Sequence, residues 1–128
     1  MTENSREVVL DILLTMEKEG EYSNQLIRAT LDKLDYLPVQ EKAFIKRVAE
    51  GTIERQIELD TYLDACSKVP VKKMKPFIRC LLRMSVYQLL YMDRVPDSAV
   101  CNEAVKLAVK KGFSGLKGFV NGVLRNVA

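Results

Sequence analysis

Residues 76–92, PFIRCLLRMSVYQLLYM, read as a helix with almost no polar side. Phe77, Ile78, Leu81, Leu82, Val86, Leu89 and Leu90 recur at steps of three and four, and Cys80, Met84 and Met92 fill further directions. A helix apolar around most of its circumference is buried on several sides. Arg79 and Arg83 interrupt the run, whereas a bilayer span needs about 20 uncharged residues, so this is a core helix. Arg79, Arg83, Tyr87 and Tyr91 follow at four-residue intervals along one slowly drifting stripe. Two readings of the stripe stand side by side. The arginines are tied to carboxylates with their stems packed on neighbours, or they form an edge that meets phosphate and stacks bases.

The flanking segments are helical too. Asn4 with Glu7 three residues on has the form of a capping box, and Val9, Ile12, Leu13 and Met16 then recur at helical spacing up to Gly20. Ser23 is a good N-cap for a second helix carrying Leu26, Ile27, Leu31 and Leu34, ending before a turn from Asp35 to Pro38. Pro38 suits the first position of a third segment, in which Phe44, Ile45, Val48, Ala49, Ile53, Ile57, Leu59 and Leu63 keep a helical period to about Cys66. The break in that long segment is expected at Gly51, whose alternative role is close helix packing. After a linker at 69–71 and the central helix, Asp97 or Ser98 is expected to cap AVCNEAVKLAVKK, which Gly112 ends. Glycine-spaced residues then lead to a last helix with Phe119, Val120, Val123, Leu124 and Val127. No stretch alternates as a strand would, so the chain reads all-α. The glycines at 112, 115, 118 and 122 lack the βαβ context of a nucleotide loop and read as helix ends and close packing.

The 128 residues make one domain by length, and at this size about two-thirds of the unfolded surface can be buried. Hydrophobic content of 48% with 29% charged residues is ordinary for a globular chain, and neither a signal segment nor a membrane span is visible, which points to the cytoplasm. Cys66, Cys80 and Cys101 form neither a disulfide framework nor a metal-ligand spacing and read as small core residues. The absence of histidine excludes histidine-based catalysis and a Cys/His zinc site. The net charge of +3 is unevenly spread: 9 basic and 14 acidic residues lie up to Pro70, against 11 and 3 after it. A cationic half of this kind is the footprint expected for a partner that is an anionic polymer.

Three strings carry a family resemblance: FIKRVAEGTIERQIELDTYL, then LLRMSVYQLLYMDRVPDSAVCNEAVKLAVKKG, then GFVNGVLRNVA. Together with Arg6 near the start they resemble the NusB-like RNA-binding domain almost end to end. That domain occurs as free-standing NusB, a transcription antitermination factor, and as the N-terminal domain of S-adenosylmethionine-dependent ribosomal RNA cytosine methyltransferases of the RsmB (Sun/Fmu) type. The ending GFVNGVLRN, with Arg125 where NusB tends to an acidic residue, and LLYMDRVPDSAVCNEAVKLA are closer to the methyltransferase version. The resemblance implies a NusB-like helical bundle of about six or seven helices in two packed subdomains, with no catalytic residue and no cofactor in this chain. S-adenosylmethionine and any catalytic cysteine would belong to a catalytic domain beyond Ala128. The implied partners are RNA, ribosomal RNA in particular, that catalytic domain and a small ribosomal-subunit protein, with no membrane.

NusB uses an arginine-rich N-terminal segment on RNA, whereas MTENSREVV offers only Arg6, which shifts weight to the basic half. The candidate RNA contacts are Arg6, Lys72, Lys73, Lys75, Arg79, Arg94, Lys110, Lys111, Lys117 and Arg125, neutralising phosphates, with Tyr87, Tyr91 or Phe113 available to stack on bases. Lys72, Lys73 and Lys75 oppose the dipole of the helix they precede, so their placement favours a partner over local stability. Structural roles are expected for Tyr87 on the buried stripe, for Asn102 and Asn121 at helix ends, and for Arg83 paired with Glu103 across two helices.

Overall fold

A computed structural model describes residues 4–128. The first helix, α1 (Ser5–Glu19), starts where the Asn4 side chain accepts the Glu7 backbone N–H at 3.1 Å, and it stops at Gly20, whose φ of 75° is one that glycine adopts without strain. Ser23 caps α2 (Asn24–Lys33) by accepting the Leu26 N–H at 3.2 Å. Then follow α3 (Val39–Glu54), α4 (Gln56–Cys66), α5 (Pro76–Tyr91), α6 (Asp97–Lys110) and α7 (Lys117–Val127), with 3-10 turns at Val71–Lys73 and Ser114–Leu116. Among the described residues there is no strand, so the all-α expectation and its count of helices hold.

The central helix is α5, as its composition requires. It touches α1, α3, α4, α6 and α7 and buries Phe77, Ile78, Cys80, Leu81, Leu82, Met84, Ser85, Val86, Tyr87 and Gln88. Around it α1, α2 and α3 pack together on one side, and α6 packs with α7, and α7 with α4, on the other. This is the two-part arrangement that the resemblance implied.

Three local expectations change. Pro38 occupies the N-cap position of α3 rather than its first turn. The long segment breaks at Arg55, not at Gly51: the Arg55 N–H closes the last turn on the Gly51 carbonyl at 3.1 Å, and α4 begins at the next residue. Neither Asp97 nor Ser98 caps α6. Pro96, with φ −61° and ψ 141°, takes the N-cap position, and Asp97 opens the first turn, where its charge complements the dipole.

Gly51 is interior because α3 and α5 cross closely there. A Cβ placed on it would fall among the ring and hydroxyl atoms of Tyr87, which is itself buried. Gly51→Ala should therefore lower stability by about 1–3 kcal/mol through overpacking, despite the helix propensity that alanine adds. Equilibrium urea unfolding checks this, and Gly51→Ala combined with Tyr87→Leu should recover part of the loss.

Candidate nucleic-acid interface

The loop that enters α5 presents lysines because its apolar residues are used as plugs. Val71 and Met74 are buried, so Lys72, Lys73 and Lys75 face solvent. Lys75 is the N-cap residue of α5 with no side-chain cap, and Pro76 follows at the start of the helix, where its missing N–H costs nothing. The loop after α6 arrives beside them. Gly112 has φ 88°, and the Phe113 N–H reaches back to the Ala108 carbonyl at 2.8 Å. That turn lays Phe113 flat on Phe77, with ring centroids 4.6 Å apart and planes within 4°. The Lys75 ammonium lies 5.6 Å from the Phe113 ring centre. Lys117, exposed at the start of α7, follows Phe113 by four residues. None of these four lysines has an ion-pair partner among the described residues.

The other cationic candidates have different positions. Arg79 is turned inward: it pairs with Glu17 and donates to the carbonyls of Met74 (2.9 Å) and Val71 (3.2 Å), so it pins the lysine loop to α1 and α5. Arg6 donates to the Gln88 side-chain oxygen at 2.9 Å and lies 5.2 Å from the Phe44 ring centre. Lys110 and Lys111 both hold Glu7, at 2.6 and 2.7 Å. Arg125 is exposed on α7 and bonds Asn121 at 3.2 Å. Arg94 is exposed past the far end of α5, which at about 1.5 Å per residue lies some 25 Å along the helix from Lys75. Of the ten candidates Lys75 lies against the Phe113 ring, Lys72 and Lys73 stand on the same loop as Lys75, and Lys117 follows Phe113 by four residues in the chain.

The expected Arg83–Glu103 pair is not formed. Arg83 makes a bidentate bond to Asp60 on α4, at 2.7 and 2.9 Å, because α4 lies along the arginine stripe. Glu103 pairs with Lys106 at 3.2 Å and faces the field of Arg6. Asn102 is exposed in the middle of α6, and Asn121 serves Arg125, so neither closes a helix end. Tyr87 is buried and unavailable for stacking on a base. Asp60 carried a usable signal, since Asp60 and Asp64 are four residues apart on one helical face opposite Arg79 and Arg83. Two cationic contacts to Tyr91 were not anticipated: Arg55 lies 4.4 Å from its ring centre, and Arg47 donates to its carbonyl at 2.8 Å.

Burial and ion pairs shift several groups. Hydrogen bonds from Lys110 and Lys111 hold the Glu7 carboxyl below its ordinary range, and Glu7 in turn raises Lys111. Burial alone would raise Glu17, yet the hydrogen bonds of Arg79 and Cys80 bring it below the usual value. Burial, followed by the neighbouring Glu17, pushes the Cys80 thiol up. None of the described helices is long and apolar enough to cross a membrane.

The chain is a small α-helical bundle wrapped around one buried helix, with exposed lysines on the loop that enters that helix and a stacked aromatic pair beside Lys75. The chain belongs to the NusB family, whose profile matches residues 3–128. It is 36% identical over 122 residues to the probable ribosomal RNA small subunit methyltransferase B of Bacillus subtilis (strain 168), covering 95% of this chain and 27% of that protein. It is 27% identical to the transcription antitermination protein NusB of Geobacter sulfurreducens, covering 96% of this chain and 90% of that one. Among solved structures, NusB crystallised with NusE in complex with double-stranded RNA superposes with a TM-score of 0.85 at 19% identity, over 96% of this chain and 92% of that one. The chain therefore spans about a quarter of its methyltransferase relative and nearly the whole of NusB.

Glu7 and Glu17 have folded-state pKa values below the unfolded carboxylate value of about 4.3. Their contribution is complete above that value and lost as pH falls through the folded-state values. Urea midpoints should accordingly drop on acidification below about pH 4.3. Glu7→Gln should flatten part of that drop while costing under about 1 kcal/mol at neutral pH, since the Lys110 and Lys111 side chains are 61% and 36% exposed and solvent screens both pairs.

Proposed function

We propose that this domain binds ribosomal RNA as the non-catalytic accessory part of an S-adenosylmethionine-dependent ribosomal RNA cytosine methyltransferase in the cytoplasm, with the methyl-transfer chemistry and its cofactor in a separate catalytic domain to which it docks. The observation that carries the binding half is the lysine rim. Lys72, Lys73, Lys75 and Lys117 are exposed and form no ion pair among the described residues, so each can neutralise a phosphate without first breaking one. Phe113 beside them can serve as a stacking surface, while Phe77 behind it fixes its plane. Arg94 and Arg125 act as outlying contacts for a longer RNA, Arg79 supports the lysine loop from within, and Arg6, Lys110 and Lys111 are engaged elsewhere, on Gln88 and Glu7. The methyltransferase half is supported by 36% identity to the Bacillus subtilis relative and by Arg125 in the final motif.

A second reading has its own support. Coverage of 90% of the Geobacter sulfurreducens NusB fits a free-standing antitermination factor, and the solved NusB with NusE and double-stranded RNA shows that a protein of this fold can hold RNA and a protein together. In that reading the partners are RNA and a small ribosomal-subunit protein.

Both readings share the RNA surface, which is directly testable. Fluorescence anisotropy with a structured ribosomal RNA fragment at several salt concentrations should give binding that weakens with salt, with a log-log slope near −3 to −4 if about four phosphates are neutralised. Replacing Lys72, Lys73, Lys75 and Lys117 by alanine should flatten the slope by most of that amount. Binding absent even at low salt, or a slope unchanged in the quadruple variant, would refute the assignment.

A further inference from the structure

A cleft of about 730 Å³ lies between the C-terminal turn of α1, α3, α4 and the start of α5. The lysine rim touches it only through Lys72. Its volume falls within the range of sites that enclose a ligand or a few side chains. The walls mix two kinds of surface. Leu13, Met16, Ile53 and Val71 provide an aliphatic part, and the polar part includes the two ion pairs Arg79–Glu17 and Arg83–Asp60.

Two observations indicate what the cleft would accept. The first is Thr52, 1% exposed on α3, whose side-chain oxygen is buried among the lining residues with no hydrogen-bond partner among the described residues. A hydroxyl both donates and accepts, and when buried alone it carries its desolvation cost uncompensated. The second is the charge left once the internal pairs are counted. Both guanidiniums are held by carboxylates. What remains in the lining is Glu21 and Asp64, which form no ion pair among the described residues, against the single cation Lys72. Asp64 gives one oxygen to the Val71 N–H at 2.9 Å, which leaves its other oxygen available.

We propose that this cleft seats a segment of another polypeptide that presents an aliphatic side chain next to a basic one. The aliphatic side chain fills the Leu13, Met16 and Ile53 wall. A peptide group, which carries both a donor and an acceptor, satisfies the Thr52 hydroxyl, and the basic side chain lies between Glu21 and Asp64. A nucleic-acid chain is disfavoured here, because its phosphates would meet those two carboxylates while the arginines are already neutralised. The site shares only Lys72 with the RNA surface proposed above.

The experiment uses methyl-labelled protein and NMR titration with two capped probes, N-acetyl-leucyl-arginine amide and N-acetyl-leucyl-glutamate amide. Saturable shifts of the Met16, Thr52 and Ile53 methyls are expected with the arginine probe, with the glutamate probe binding several-fold more weakly. Thr52→Val keeps the shape and removes the hydroxyl. It should leave thermal stability unchanged or raised and weaken the arginine probe by about 2- to 10-fold, the worth of one hydrogen bond. Glu21→Lys, an exposed change, should erase the preference for arginine over glutamate. Alanine at Lys73, Lys75 and Lys117, none of which lines the cleft, should leave peptide binding intact while weakening RNA binding, so loss of the RNA surface and loss of this site are told apart. No saturable shift up to about 10 mM probe, equal binding of the two probes, or movement of the same methyls by oligouridylate in preference to peptide would overturn the proposal.

Discussion

The guanidinium of Arg83, gripped by both oxygens of Asp60, ties the central helix α5 to α4. A helix buried against five others has almost nowhere to send a charge, and an unpaired buried guanidinium costs several kcal/mol. The positions of the neighbours follow from that penalty. Asp60 brings α4 against the arginine stripe of α5, Glu17 brings the end of α1 to Arg79, and Gln88, fully buried, is met by Arg6 and by the Met84 carbonyl. On the remaining side Gly51 lets α3 approach until it rests on the Tyr87 ring. Three polar ties and one missing side chain thus fix the helices around α5 within a core that is otherwise non-directional.

The same economy explains the surface. Because the arginines of α5 are consumed internally, the charges available to a partner are the lysines just before it, at a helix start where cations are locally unfavourable. Arg79 connects the two roles: by taking the Val71 and Met74 carbonyls it shapes the loop on which Lys72, Lys73 and Lys75 stand. Phe77 belongs to the core by composition, yet through its stack with Phe113 it also sets the orientation of an aromatic ring among those lysines. Fold and candidate interface therefore share residues, and a change that loosens the start of α5 would disturb both.

The parts of this structure legible in the sequence were those fixed by periodicity and end chemistry. The all-round apolar pattern of residues 76–92 announced a central helix, and Asn4, Ser23 and Gly112 sit at helix ends as their chemistry requires. Partners distant in sequence were not legible. Arg83 needed a carboxylate, but whether Asp60 or Glu103 supplied it depended on which helix lay along the stripe, and one-dimensional spacing does not contain that. The charge count drew attention to the second half of the chain, yet it could not separate Lys110 and Lys111, spent on Glu7, from Lys72, Lys73, Lys75 and Lys117, which have no ion-pair partner among the described residues. Gly51 allowed two interpretations, and the close crossing with Tyr87 was the correct one.

Lysine acetylation footprinting of the protein with and without a bound ribosomal RNA fragment tests most directly whether the start of α5 is the RNA surface. Protection confined to Lys72, Lys73, Lys75 and Lys117, with Lys33, Lys42 and Lys46 on the opposite subdomain labelled at unchanged rates, is the predicted result. Uniform protection of all lysines, or protection of Lys33, Lys42 and Lys46 in place of the four, would contradict it.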